Sequence, residues 1–235
     1  MTAVRLLLRR GLHPARVVGK WLCPCVVCLV VSSVLATPGP TVHWQFSSAM
    51  PPGAIGNLRL GRGGPVSGYF QPVEIRAPNG ARVETVVAGR FEGAAEIVRA
   101  GMLIGPVYRL RVTHIANHEA REVYPTVEII DRLYPPAGEA ERFAIPIHLT
   151  QDELDLALSG RFVTRVIYLE DPDLAVDVTT DTSTNRWFDA PAGYHPLEIA
   201  DQLGRPVAIL RLGSRVPESS EPKAPFVYDS PPVKQ

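Results

Sequence analysis

A chain of 235 residues with 46% hydrophobic content is long enough to bury a sizeable core, as one domain or two small ones. Proline (23) and glycine (19) are frequent, yet stay below the roughly 25–30% combined share of low-complexity chains. The formal charge is zero, but residues 1–36 hold five basic residues and no acid, leaving 19 basic residues against 24 acidic ones in the remainder. That acidic remainder argues against a nucleic-acid partner, since neutralising phosphates requires a basic face.

The first 36 residues read as an export signal. A basic stretch, "MTAVRLLLRRGLHPARVVGK", precedes the apolar run "WLCPCVVCLVVSSVLA", and Val34 and Ala36 sit at the −3 and −1 positions of a small-residue cleavage site. The apolar run falls short of the ~20 residues that span a bilayer as a helix, and Pro24 interrupts it. An uncleaved anchor is the alternative, and membrane contact is then made through this segment only. All three cysteines, Cys23, Cys25 and Cys28, lie inside it. A processed chain therefore folds without disulfides, which suits a bacterial periplasm or cell envelope.

Residues 37–68 are rich in proline and glycine and show no sustained period, so they read as a linker or extended lead-in. "GRGGP" within it has neither the spacing nor the following helix of a phosphate-binding loop. Residues 69–213 carry the folded, β-rich part. "YFQPVEIRAPNGARVETVVAG" is a strand, a turn and a strand, with Asn79-Gly80 supplying the two positive-φ positions of a tight hairpin. "GRFEGAAEIVRAGMLIGP" ends in a short apolar run that suits a buried strand.

From Val107 to Ile115 the residues alternate: Tyr108, Leu110, Val112 and His114 share one face, Arg109, Arg111 and Thr113 the other. Val123 to Asp131 forms the next strand, where Pro125 points to an edge position or a bulge. After the extended run "RFAIPIHL", Thr150 and Glu153 form a capping box that opens a short helix ending at Gly160. "RFVTRVIYLE" returns to strand. Pro196, Leu197, Ala200, Leu203 and Gly204 outline a second short helix, and Val207 to Leu212 the last strand, with a hairpin as the alternative reading of this segment. Residues 214–235 have the serine, proline and charge content of a disordered tail.

The candidate sites are few. His114, His118 and Glu119 lie within six residues, but on strand-forming flanks the spacing does not converge ligands on one point, so a strand-end histidine and a turn histidine are expected. The acidic loop with Glu170, Asp171, Asp173, Asp177 and Asp181 lacks the ligand order of a calcium-binding helix–loop–helix motif and reads as solvated. Trp187, Phe188 and Tyr194 are candidates for a glycan or protein contact, weighed against a satellite core plugging the end of a sandwich. No G-x-S-x-G is present. Two carboxylates suited to glycan hydrolysis are not ruled out, and nothing singles out a pair. No cofactor is implied.

The run "GPVYRLRVTHIANHEAREVYPTVEIIDRLYPP", continued by "IPIHLTQDELDLALSGRFVTRVIYLEDP" and flanked by "GYFQPVEIRAPNGA" and "AILRLG", resembles a group of exported planctomycete envelope proteins. The resemblance spans about residues 68–213. It implies a compartment and a fold, and carries over no site residues.

Seven to nine short strands, one or two short helices and no βαβ rhythm point to a mainly β fold: an antiparallel β-sandwich or a partly open barrel. The functional expectation is an exported cell-envelope protein acting as a non-enzymatic binding or structural module, its partner an envelope protein or polysaccharide. The alternatives are an envelope glycan hydrolase with carboxylates yet to be identified and a calcium-dependent adhesion domain.

Overall fold

Alternation of apolar and polar side chains sets the strands, as the sequence leads one to expect, but not always their pairing. The computed structural model describes residues 50–173, 189–191, 193–213, 216–217, 224–227 and 233. Among the described residues nine strands form two sheets: β1 (Phe70–Arg76), β2 (Arg82–Val87), β3 (Arg90–Ala95), β4 (Ile97–Leu103), β5 (Val107–Thr113), β6 (Thr126–Ile129), β7 (Ile145–His148), β8 (Val163–Glu170) and β9 (Gly204–Leu212). The small sheet runs β4-β1-β7 and the large one β3-β2-β5-β6-β9-β8. Every neighbouring pair is antiparallel except β1 with β7. The protein is mainly β, an open two-sheet sandwich rather than a closed barrel.

One buried cluster lies between the sheets. Val73, Ile75 and Ile147 come from the small sheet; Leu110, Val127 and Leu210 come from the large one. Burying such side chains contributes about 1.5–3 kcal/mol each, the dominant favourable term in a fold of this kind. A second, smaller cluster sits on the other face of the large sheet, where Ile209 meets Ile55 and Leu197.

Asn79 and Gly80 take positive φ (49° and 81°), and the Ala81 amide donates to the Pro78 carbonyl at 2.9 Å, so the local turn is as expected. It does not close a hairpin. β1 is flanked by β4 and β7, and β2 by β3 and β5, so the turn carries the chain from one sheet to the other. Turn chemistry fixes a local dihedral pattern; which edges pair is decided by what they bury. The tight hairpin lies instead at Ala88-Gly89 (φ 48° and 78°), between Val87 and Arg90.

Pro125 also corrects its expectation. It is neither at an edge nor in a bulge, because β6 lies inside the large sheet between β5 and β9. The pairing of β5 with β6 continues past it in the same register to the bridge between Val112 and Val123. The Leu110 amide still donates to the Pro125 carbonyl at 2.9 Å. The ladder forgoes only the one donor that proline lacks.

More helix is present than the one or two short segments expected. Besides α2 (Gln151–Leu158) and α3 (Pro196–Leu203), both anticipated, there are α1 (Ala54–Gly61) and a single turn, α4 (Ala224–Val227). α1 falls within the stretch read as linker or extended lead-in. Its short, glycine-bearing sequence has little helical propensity of its own, and tertiary contacts hold it. Gly56 lies so close to Gly105 that an added Cβ would stand 2.7 Å from the Gly105 Cα. In the segment expected to be a disordered tail, Val227 is buried, and Phe226 packs edge-on against Tyr124 with ring centroids 5.0 Å apart.

Glu128, fully buried on β6, anchors α1. Its Oε1 accepts from the Gly56 amide at 2.8 Å, and its Oε2 meets Arg211 Nη1 of β9 at 3.0 Å. Glu128→Ala leaves the Arg211 guanidinium without its carboxylate in a dry site, and is expected to cost about 3–5 kcal/mol. Adding Arg211→Met should recover much of that loss. Urea denaturation of both variants checks it; a Glu128→Ala loss below about 1 kcal/mol would show the pair to behave like a surface ion pair.

Candidate functional site

β7 and β8 each end a sheet, and the open side of the sandwich lies between them. A groove of about 910 Å³ occupies this side, within the range typical of ligand sites.

Its floor is built by α2. Thr150 caps the helix: its side chain accepts from the Glu153 amide, and the Glu153 carboxylate accepts from the Thr150 amide at 3.0 Å. The same carboxylate pairs with Arg165 of β8 at 3.0 Å. Arg165 Nη2 also donates to the His148 carbonyl of β7 at 2.8 Å. One guanidinium thus ties the large sheet to the edge of the small one and to the helix between them. Burial pulls the Arg165 pKa down and Glu153 opposes it. Arginine stays charged regardless, because its ordinary pKa is so high.

The walls are mostly apolar. Phe162, Val163, Ile167 and Leu169 come from β8 and its approach, Ile145 and Pro146 from β7, and Ile199 from α3. Phe162 and Tyr194 are 68% and 65% exposed. The consecutive residues Phe162 to Leu169 all line the groove, so both faces of β8 border it, together with the backbone edge that β9 does not pair. The longest unbroken register of that edge is Val163–Ile167, because the pairing with β9 shifts between Ile167 and Tyr168.

The described lining contains two carboxylates, Glu153 and Asp189. Glu153 has its oxygens committed to Thr150 and Arg165, which fits a positioning role rather than proton transfer. His148 lies at the rim. Burial, then Arg76, push its pKa below the ordinary 6.5, and Glu74 opposes them.

The histidines do not converge. His114 has φ 54° and is exposed, so the chain turns away after Thr113 and Ile115 takes the buried place expected for it. Its Nδ1 lies 3.0 Å from the Thr113 hydroxyl. His118 instead faces Asp155 of α2 at 3.5 Å, and Glu119 is exposed. Among the described residues no group of three or more histidine, cysteine or acidic side chains is arranged to hold a metal. In the acidic loop the Asp173 amide donates to the Asp171 carboxylate at 3.0 Å, a local turn. Asp177, Trp187 and Phe188 lie outside the described residues. Tyr194 lines the groove, where a binding contact was one of the two readings of this residue.

Arg165 and the groove were not picked out from sequence. The signal existed: on the alternating face Val163, Arg165, Ile167, Leu169, one cation interrupts an apolar row. No protein-family model, curated protein or solved structure matches the chain.

The His148 shift has a direction in stability. Its folded pKa lies below its unfolded value, so the unfolded chain takes up the proton first. The contribution is intact above about pH 6.5 and is lost as pH falls below it. Denaturation at pH 7.5 and 5.5 is expected to show a smaller acid-side loss for His148→Asn than for the wild type; equal losses would exclude His148 as a source.

Proposed function

We propose that the protein is an exported, non-enzymatic binding module of a bacterial cell envelope that takes an extended polypeptide segment along the free edge of β8. The observation that carries this reading is the unbroken lining of the groove by residues 162–169. An unpaired strand edge offers a row of N–H and C=O groups that only another backbone satisfies fully. Alternate side chains of an added strand would then fall toward Ile145 and Leu156 on one side and toward Ile199 on the other. β7 is the weaker acceptor, being four residues long and containing Pro146. β8 carries no lysine or proline, and its one cation, Arg165, is engaged with Glu153. Export rests on residues 1–36; no helix of the described residues is long and apolar enough to cross a membrane.

The probe is a synthetic peptide of alternating valine and threonine with a lysine at each end. It is expected to bind and to slow hydrogen exchange at β8 amides, and Leu169→Lys, at a position already 41% exposed, should weaken it. Unchanged exchange along β8, or turnover of envelope glycan by the purified protein, would sink the reading. A fusion of residues 1–36 ahead of alkaline phosphatase tests export separately, with periplasmic activity the expected result.

A further inference from the structure

At the end of the groove marked by Leu133 and Leu169, three arginines gather around one acid. Asp131, buried after β6, accepts from Arg59 of α1 at 2.7 Å and forms an ion pair with Arg205 of β9 at 2.9 Å, both through Oδ2. Its Oδ1 accepts from the Arg132 amide at 2.8 Å. Both carboxylate oxygens are therefore engaged.

Among the described residues Arg132 has no acid of its own. Its guanidinium carbon lies 4.2 Å from the Tyr69 ring centroid and 4.6 Å from that of Tyr134. Its Nε donates to the Leu133 carbonyl at 3.3 Å, and among the described residues its terminal nitrogens have no hydrogen-bond partner. Arg205 lies 5.4 Å from the Tyr134 centroid and donates to the Arg132 carbonyl at 2.9 Å. A guanidinium supported by rings and by its own backbone has lost most of its conformational freedom, so its planar fork is organised in advance for a carboxylate.

The position connects this cluster to β8. Leu133, next to Arg132, lines the groove, and Leu169, also in the lining, is the register partner of Arg205. Leu133 is itself fixed by its amide donating to Gln71 at 2.8 Å. We propose that Arg132, with Arg205 beside it, binds an aspartate or glutamate side chain of the polypeptide that pairs with β8, at the Leu169 end of the groove. This rests on the strand-addition reading. A uronate-bearing saccharide offers the same carboxylate, but the Tyr134 ring on which a sugar would stack already supports two guanidiniums.

The experiment uses the full chain, the valine–threonine peptide ended in glutamate, the same peptide ended in glutamine, and free glutarate. Glutamate at one end should tighten binding about tenfold over glutamine, the effect of a charge-assisted bidentate bond. Arg132→Met should abolish that difference without changing the glutamine peptide's affinity, and Arg132→Lys should restore only part of it. Glutarate should shift the Arg132 Nε–H resonance without any strand pairing, so the cluster is testable even if the peptide fails to bind. Equal affinity of the two peptides, or no glutarate shift in the wild type, overturns the proposal. Tighter binding of an oligoglucuronate than of the glutamate peptide overturns the polypeptide source.

Discussion

A carboxylate with no exposed surface organises this fold. Glu128 on β6 faces two partners from distant parts of the chain, the Gly56 amide of α1 and the Arg211 guanidinium of β9. Carrying a carboxylate and a guanidinium out of water costs several kcal/mol per ion, and the mutual attraction offsets this only with good hydrogen bonding. Among the described residues that bonding is incomplete, since Arg211 Nε and Nη2 have no protein partner there. The pair is therefore better understood as specifying an arrangement than as a net source of stability. An amide near a helix N-terminus carries partial positive charge, so a fixed anion determines where α1 begins. Gly56 and Gly105 then let the helix lie close enough to reach it.

Once α1 is placed, the rest of that face follows. The helix carries Arg59 to Asp131, which also pairs with Arg205 at the start of β9. Ile55 enters the second cluster with Leu197 of α3 and Ile209 of β9. β9 in turn pairs with β8 over eight residues, so the edge strand that borders the groove is positioned from this side. From the other side it is held by Arg165, bound to Glu153 of α2 and to the β7 backbone. Two buried ion pairs on opposite faces of the large sheet thus define where its last strand lies.

The sequence shows the elements better than their connections. Capping at Thr150 and Glu153 and the stop at Gly160 were legible because each is a local device with few alternatives; the segment opened by Pro196 suited a helix or a hairpin, and it forms α3. β5 was legible from its alternation. The sheet change at Asn79-Gly80 was not, because a turn of the same dihedrals serves a hairpin or a corner. Pro125 misled for a related reason: a strand tolerates the loss of one donor where the rest of the register is kept. α1 was hidden because tertiary contacts, not propensity, make it helical. At the groove, the chemistry was visible only as an exception, Arg165 within an apolar row. The Arg132 cluster draws on four separated segments, so no window of sequence contains it.

The geometry bears differently on the competing functions. A hydrolase needs carboxylates free to exchange protons, and among the described residues the buried acids Glu84, Glu128, Asp131 and Glu153 are each engaged by arginine. A metal-dependent adhesion domain needs ligands that converge, whereas His118 turns to Asp155 and Asp171 accepts from its own loop. An edge-binding module needs a strand whose backbone is open, whose flanks are apolar and whose position is rigid. Among the described residues β8 has no second strand partner and borders the apolar groove, and Arg165 and β9 hold it in place. In the proposed binding mode that rigidity would favour affinity, because an edge fixed in advance loses little freedom when a strand is added, leaving the ordering of the incoming segment as the principal entropic cost.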